Sequence, residues 1–235
     1  MRMIVILALL FVVVAIPVSA QKTLVIYDPT IVLEDEVAAL PDAEQVMYER
    51  SVLPKLKAKY ASDTCSVNPE LAGEVSGKFT KKGVVQKAAF YQVCQTGNGL
   101  GTVAVVIFEN DKLLGIWGDD SGWTLQINTI ADLNGNGFDE FTLSFSGGMH
   151  QGEGGIGVEV MEFTNGKPQS MGWFQGEKFM DTETESGYKV TVRTGKTPVF
   201  YRQKYTANSR GKLMKRGANS VFKLKKVENS FEEIK

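Results

Sequence analysis

The chain predicts a mainly β, extracytoplasmic domain with a short helical segment near its N-terminus, and three observations carry that expectation. A leader-like stretch opens the 235 residues. From about Gly77 onward, short apolar and β-branched runs recur between Gly- and Asn-containing turns. One loop, Asp132 to Glu140, alternates oxygen-bearing side chains with glycines and leads into the strand-like run Phe141 to Phe145.

Residues 1–20 read as a secretory signal. Arg2 supplies the positive end, Ile4 to Ile16 is apolar, and Pro17-Val18-Ser19-Ala20 puts small residues before a cut at Gln21. The apolar run is short of the roughly 20 residues that span a bilayer, and no cysteine stands at the expected new N-terminus for a lipid anchor. The expected location is secreted or periplasmic, without a stable membrane anchor.

Residues 21–70 are expected to form an extended and helical segment. Thr23 to Tyr27 reads as a short strand. Asp42 to Tyr60 reads as helix, because Val46, Leu53, Leu56 and Tyr60 recur near the helical period. Asp42 and Glu44 favour the positive end of its dipole. Pro54 lacks an amide proton, so a kink or two short helices are expected there.

Residues 71–230 are expected to be the β-rich domain. Its strand candidates are Val84 to Val93, Thr102 to Phe108, Leu113 to Trp117, Trp123 to Ile127, Phe141 to Phe145, Val158 to Phe163, Ser170 to Phe174, Tyr188 to Val192, Val199 to Tyr205 and Val221 to Val227. Asn110-Asp111, Asn165-Gly166 and Thr194-Gly195 supply hairpin turns. Gly118-Asp119-Asp120-Ser121-Gly122 has turn composition as well. Either a sandwich or a propeller-like arrangement fits short strands at this spacing.

Two stretches, about 77–117 and 131–174, look like copies offset by roughly 54 residues, within the range of repeat architectures. Lys78-Phe79-Thr80-Lys81-Lys82-Gly83 aligns with Asp132-Leu133-Asn134-Gly135-Asn136-Gly137, and each is followed by strand, bend, strand, turn and a Trp-bearing strand. Chance likeness between β-hairpins is the competing account. Lysines stand in the first copy where Asp132 and Asn136 stand in the second. An ammonium group fills a cation's place but cannot coordinate one, so only the second copy is built to hold metal.

Calcium takes six to eight hard oxygen ligands. Asp132, Asn134 and Asn136 would give side-chain oxygens, Phe138 its backbone carbonyl, and Glu140 would close the shell. Leu143 stands where an EF-hand places its bidentate glutamate, so this is not that motif. With two amides among the ligands, affinity is expected to be weak, on the order of 10⁻⁴ to 10⁻³ M. The competing reading is an Asn- and Gly-rich turn whose side chains bond their own backbone.

This loop and its strand resemble the FG-GAP or VCBS-type repeats of integrin-like β-propellers, through Asp132, Asn134, Asn136, Gly137 and Glu140. The likeness covers Asp132 to Thr164 and, in degenerate form, Lys78 to Asn110. It implies an extracytoplasmic binding or scaffold module with calcium in its loops and no enzyme activity. A complete integrin-like propeller has more blades than this length provides.

Cys65 and Cys94 are the only cysteines, and in an oxidising compartment they are expected to pair. The bridge would staple the N-terminal segment to the β-rich body and contribute about 3 kcal/mol in the loop-entropy model. With a net charge of −1, nothing demands nucleic acid as a partner. The charge is uneven: Asp28, Glu34, Asp35, Glu36, Asp42 and Glu44 crowd the N-terminal part, whereas Arg202 to Lys226 holds nine basic residues and no acid. Interleaved Tyr205, Leu213, Val221, Phe222 and Leu224 fit solvated strands; a face for anionic glycans or membranes is the other reading. The partner is expected to be an extracellular protein or glycan.

An alternative function is a hydrolase acting on an envelope or extracellular polymer, with Gly147 to Gly155 in its cleft. His150 is the only histidine, near Ser146 and Glu153 in sequence. Asp119 and Asp120 would be candidates for a carboxylate pair. Trp117, Trp123 and Trp173, with Tyr91 and Phe174, suggest either a sugar-stacking platform or core packing.

Overall fold

The structure, a computed structural model, describes residues 21–31, 42–62, 65–95, 100–110, 112–150, 153–181, 183–228 and 231–235. The expected leader and the acidic run Glu34 to Glu36 lie outside them. Among the described residues no helix is long and apolar enough to cross a membrane.

In chain order the elements are β1 (Thr23–Tyr27), α1 (Asp42–Met47), a π-helical turn (Tyr48–Val52), α2 (Leu53–Tyr60), β2 (Glu70–Gly77), β3 (Gln86–Gln95), β4 (Leu100–Glu109), β5 (Lys112–Ile130), β6 (Glu140–His150), β7 (Glu153–Thr164), β8 (Lys167–Met180), β9 (Glu183–Arg193), β10 (Val199–Ala207), β11 (Leu213–Phe222) and β12 (Glu232–Glu233). The strands make one 12-stranded antiparallel meander in which β2 to β11 follow one another in chain order. The path is open, with β2 and β11 at its ends, while β1 joins β9 and β12 joins β5.

The alternation of side chains divides the interior into three cores. On β3 and β4, Ala89, Tyr91, Val93, Ala104 and Val106 face the helical layer, where Val52 and Leu56 are fully buried. Their neighbours Ala88, Phe90, Val103, Val105 and Ile107 face Phe141, Leu143, Met161 and Phe163 of β6 and β7. The other face of β7 presents Ile156, Val158 and Val160 to Val190, Val192 and Phe200. β3 and β4 are therefore covered on both faces, which explains the apolar runs 88–91 and 103–108.

Two expected strands are one. β5 runs through Gly118 to Gly122, because β4 offers each of these residues a partner, from Ala104 opposite Gly118 to Leu100 opposite Gly122. Beyond that point β5 changes neighbour and pairs with β6. The last expected strand is also displaced: β11 ends at Phe222, and the following segment meets the sheet through an isolated bridge between Lys225 and Trp173. β2 is an addition, since Glu70, Gly73, Glu74 and Gly77 give it no strand-like pattern. The helical segment does divide in two. Pro54 sits at the start of α2, where its missing amide proton costs no helical bond, and the irregularity is the π-helical turn before it. Cys65 and Cys94 form a disulfide with Cα atoms 5.6 Å apart.

Candidate metal centre

The loop between β5 and β6 curls around the carboxylate of Asp132. One of its oxygens accepts from the amides of Gly135 (2.7 Å) and Asn136 (3.1 Å), and the other accepts from Gly137 (2.8 Å). Gly135 (φ 76°) and Gly137 (φ 91°) occupy the left-handed region that this curl requires. Asn134 Oδ1 accepts from the Asn136 amide and Asn136 Oδ1 from the Phe138 amide. The side chains thus do bond their own backbone, yet a carboxylate has about four acceptor directions and Asp132 uses three.

Glu140, the first residue of β6, is fully buried beneath this loop. Its carboxyl accepts from the Leu133 amide (2.7 Å) and from the Asn134 side-chain amide (2.9 Å), which also donates to Glu162 on β7 at 3.1 Å. Burial pushes the Glu140 carboxyl up to about 8, the Leu133 hydrogen bond opposes the rise, and the charges of Asp132 and Glu162 add to it. Asp132, Glu140 and Glu162 thus act on one another through their charges, and none of them forms an ion pair among the described residues. A basic side chain does lie close by: Lys82 sits over the Phe138 ring, 5.4 Å from its centre.

The loop before β3 makes a matching set of contacts. Gln86, the first residue of β3 and 1% exposed, accepts from the Thr80 amide (2.8 Å) and donates to the Thr80 hydroxyl and to Glu109 on β4 (3.0 Å). Thr80, Gln86 and Glu109 stand to Asn134, Glu140 and Glu162 at a near-constant offset of roughly 54 residues. Gly83 and Gly137 both have positive φ, and Phe79 and Leu133 are both fully buried. In the first loop Lys81 pairs with Glu109 at 3.5 Å; at the corresponding place the second loop has Gly135. The loops also touch, since Asp139 donates its amide to Lys78 and accepts the Lys78 amide on its carboxylate.

The expected ligand set is therefore only partly assembled. Asn134 meets Glu140 through its amide nitrogen, while Asp132, Asn134 and Asn136 all turn oxygens to amides of the loop. Glu162 is an addition, invisible to a local motif because it lies on the next strand. Among the described residues no three of His, Cys, Asp and Glu gather closely enough to hold a metal by themselves. An ion here would draw its remaining ligands from carboxamide and backbone oxygens, the donor chemistry that calcium accepts. The excess of negative charge fits such an ion.

The other candidates separate. Ser146 to His150 lies on β6 and Glu153 to Gly155 on β7, with the His150 backbone opposite Glu153; residues 151–152 and the His150 side chain lie outside what is described. The tryptophans form no common platform. Trp117 is buried edge-on to Phe163, Trp123 donates to the Leu100 carbonyl, and Trp173 carries Lys225 over its ring. Tyr91 stacks on Tyr48 beneath the helices and Phe174 lies in a separate core. Asp119 and Asp120 lie on a strand and not in a turn; Asp120 accepts from Thr102.

Two further groups escaped the sequence reading. Lys87 binds both Glu44 of α1 and Glu74 of β2, fastening the helical layer to the sheet. Glu74 is raised by burial and by the neighbouring Glu44 carboxyl. Elsewhere, an apolar groove of about 620 Å³ is lined by Leu100, Phe145, Gly147, Gly157, Glu159 and Trp173, among others. Burial raises the Glu159 carboxyl, and the Asp119 charge adds to the effect. No family model, curated protein or solved structure matches the chain.

Proposed function

We propose that the protein is a secreted or periplasmic binding or structural module built on FG-GAP-like antiparallel β repeats, with one weak calcium site in the loop from Asp132 to Glu140. One observation carries the reading: two loops in matching frameworks differ in charge, the first balanced by Lys81 and the second left with Asp132, Glu140 and Glu162. Calcium supplies what the second loop lacks. Asp132, Asn134, Asn136, the Phe138 carbonyl and Glu140 hold it, with Glu162 adding negative charge from β7. Its work is to pin the β5–β6 connection at the centre of the sheet.

Thermal unfolding with calcium and with chelator tests this. Calcium at ten to a hundred times its dissociation constant stabilises the folded chain by about 1–3 kcal/mol. Glu140→Gln keeps the acceptor for Leu133 and abolishes the calcium response. An unchanged melting temperature in the parent protein, with about 10 mM calcium against chelator, rejects the site.

A second reading, hydrolysis of an extracellular polymer, is favoured by the raised Glu159 carboxyl in a groove near Asp119. Such an acid can protonate a leaving group. Full turnover by Glu159→Gln on any polymer that the parent cleaves excludes it.

A further inference from the structure

The C-terminal hairpin and the segment after it carry positive charge that the fold leaves open. Of the ten residues of β11, eight are exposed in an unbroken run. Lys204 and Arg216 stand directly opposite one another across the β10–β11 pair, an arrangement of like charges that destabilises a sheet. Among the described residues no ion pair engages any of the nine basic residues from Arg202 to Lys226. Two nearby acids are already committed: Glu177 accepts from Tyr27 and Thr184, and Glu185 pairs with Lys178 at 3.2 Å.

Three of these cations converge on a small cavity of about 110 Å³, lined by Arg202, Lys223 and Lys225 together with Trp173, Tyr188 and Phe222. Two of the three are held by rings. Arg202 lies 5.0 Å from the Tyr188 ring centre and 5.5 Å from Phe222, and Lys225 lies 4.7 Å from Trp173. A ring fixes a cation's position without cancelling its charge, as a carboxylate would. Arg202 and Lys225 are thus held in place with their charge intact. The small cavity borders the 620 Å³ groove, since Trp173 and Gln175 line both cavities.

That groove is unusually bare. A Cβ at Gly157 would meet nothing closer than 3.7 Å, and one at Gly147 nothing closer than 3.9 Å. Neither residue has a positive φ, so neither packing nor backbone conformation demands glycine at these strand positions. The missing side chains open a floor beside Phe145, with Ser121, Gln175 and Glu159 as polar groups along it, and burial favours the neutral form of the Glu159 carboxyl.

We propose that this end of the sheet docks an extended acidic polysaccharide, its anionic groups on Arg202, Lys223 and Lys225 and its sugar rings in the groove beside Trp173. Charge complementarity selects an anion. The glycine-floored groove beside Trp173 leaves room for the rings of a narrow chain. The site is separate from the calcium loop, and its binding does not require the loop's ion.

Binding of the full chain to polygalacturonate and to dextran sulfate, with neutral dextran as control, tests the assignment. The parent protein binds both acidic polymers, not dextran, and weakens at least about tenfold between 50 and 300 mM salt. Lys223→Glu with Lys225→Glu lowers affinity at least about tenfold, whereas Lys57→Glu with Lys112→Glu, an equal charge change at exposed sites elsewhere, leaves it within about twofold. Circular dichroism confirms that each variant folds, and Lys223→Gln, at an exposed position, provides a milder second variant. Binding that persists in chelator separates this site from the calcium proposal. Equal loss in the two charge-reversal variants overturns the proposal. So does binding to vesicles containing phosphatidylserine without binding to either polymer.

Discussion

Where β3 begins, a neutral amide, Gln86, is buried beneath a lysine-rich loop. Where β6 begins, a carboxyl, Glu140, is buried beneath a loop whose own residues include no basic side chain. Both groups accept a backbone amide of the loop above them; Gln86 donates directly to a glutamate on the following strand, and Glu140 is linked to one through the Asn134 side-chain amide. The frameworks match while their charges do not. In the first loop an acid on a strand faces a lysine; in the second, Glu140 and Glu162 share the Asn134 side-chain amide, and the charge of Asp132 acts on Glu140. The difference teaches that the fold alone does not require an ionisable group at this position, since an amide serves equally well in the other loop. The acid of the second loop raises a charge problem that a proton or a cation must solve.

The largest expected effects concern what the two loops share. Phe79 and Leu133 are fully buried anchors, each beneath its own loop but in different cores. Truncation to alanine is expected to cost about 4 kcal/mol for Phe79 and about 3 kcal/mol for Leu133, by lost burial and residual cavity. Urea unfolding measures both. If either costs less than about 1 kcal/mol, that loop is not pinned to the core and the comparison fails at its base.

Next in size is the pH dependence, which separates the loops. With its carboxyl pushed from 4.5 to about 8, Glu140 holds a proton in the folded chain that the unfolded chain has released. Its contribution is complete below about pH 4.5 and is lost as the pH rises to about 8. In chelator the loss is on the order of 2–4 kcal/mol. Calcium favours the ionised carboxylate and flattens this slope, and Glu140→Gln removes the Glu140 component. A parent protein with the same stability at pH 5 and pH 8 in chelator shows that Glu140 is not held neutral.

A smaller effect distinguishes the turns. Gly137→Ala places a Cβ at φ 91° and 3.1 Å from the Lys82 side chain, whereas Gly83→Ala at φ 74° meets nothing within 4 Å. Both pay for a positive φ, about 1 kcal/mol, and Gly137 costs more because Lys82 must also move. Equal melting temperatures for the two variants show that Lys82 yields freely.

Much of this comparison was legible in the sequence. The alternation Asp132, Asn134, Asn136 with Gly135 and Gly137 announces a curled loop, because the bonds that hold it span only two to five residues. The lysines of the first loop were equally visible, although the one that pairs with Glu109 is Lys81, and Lys78 and Lys82 instead lie against the second loop. Glu109 and Glu162 were not legible as partners, since each comes from a strand more than 20 residues downstream and only pairing brings it back. The same limit hid the continuity of β5. Gly118 to Gly122 reads as a turn until β4 is placed beside it, and the composition of a strand says nothing about its neighbour's backbone. The cationic cavity was visible only as a count of basic residues; its aromatic supports come from β8, β9 and β11.

The smallest expected effect tests whether Lys81 is the first loop's counterpart of a bound cation. Lys81 is 62% exposed on its side chain, Glu109 is 21% exposed, and their separation is 3.5 Å. Water screens such a pair, and Gln86 continues to donate to Glu109 when the lysine is gone. Lys81→Gln is therefore expected to lower the melting temperature by no more than about 2 °C, and added calcium should not restore it, because Gln86 remains neutral and Lys78 still holds the place of Asp132. A loss of several degrees means that the lysine is an essential part of the first loop. Recovery of that loss with calcium would mean that the first loop, too, binds the ion, and that the charge difference between the loops does not decide where metal goes.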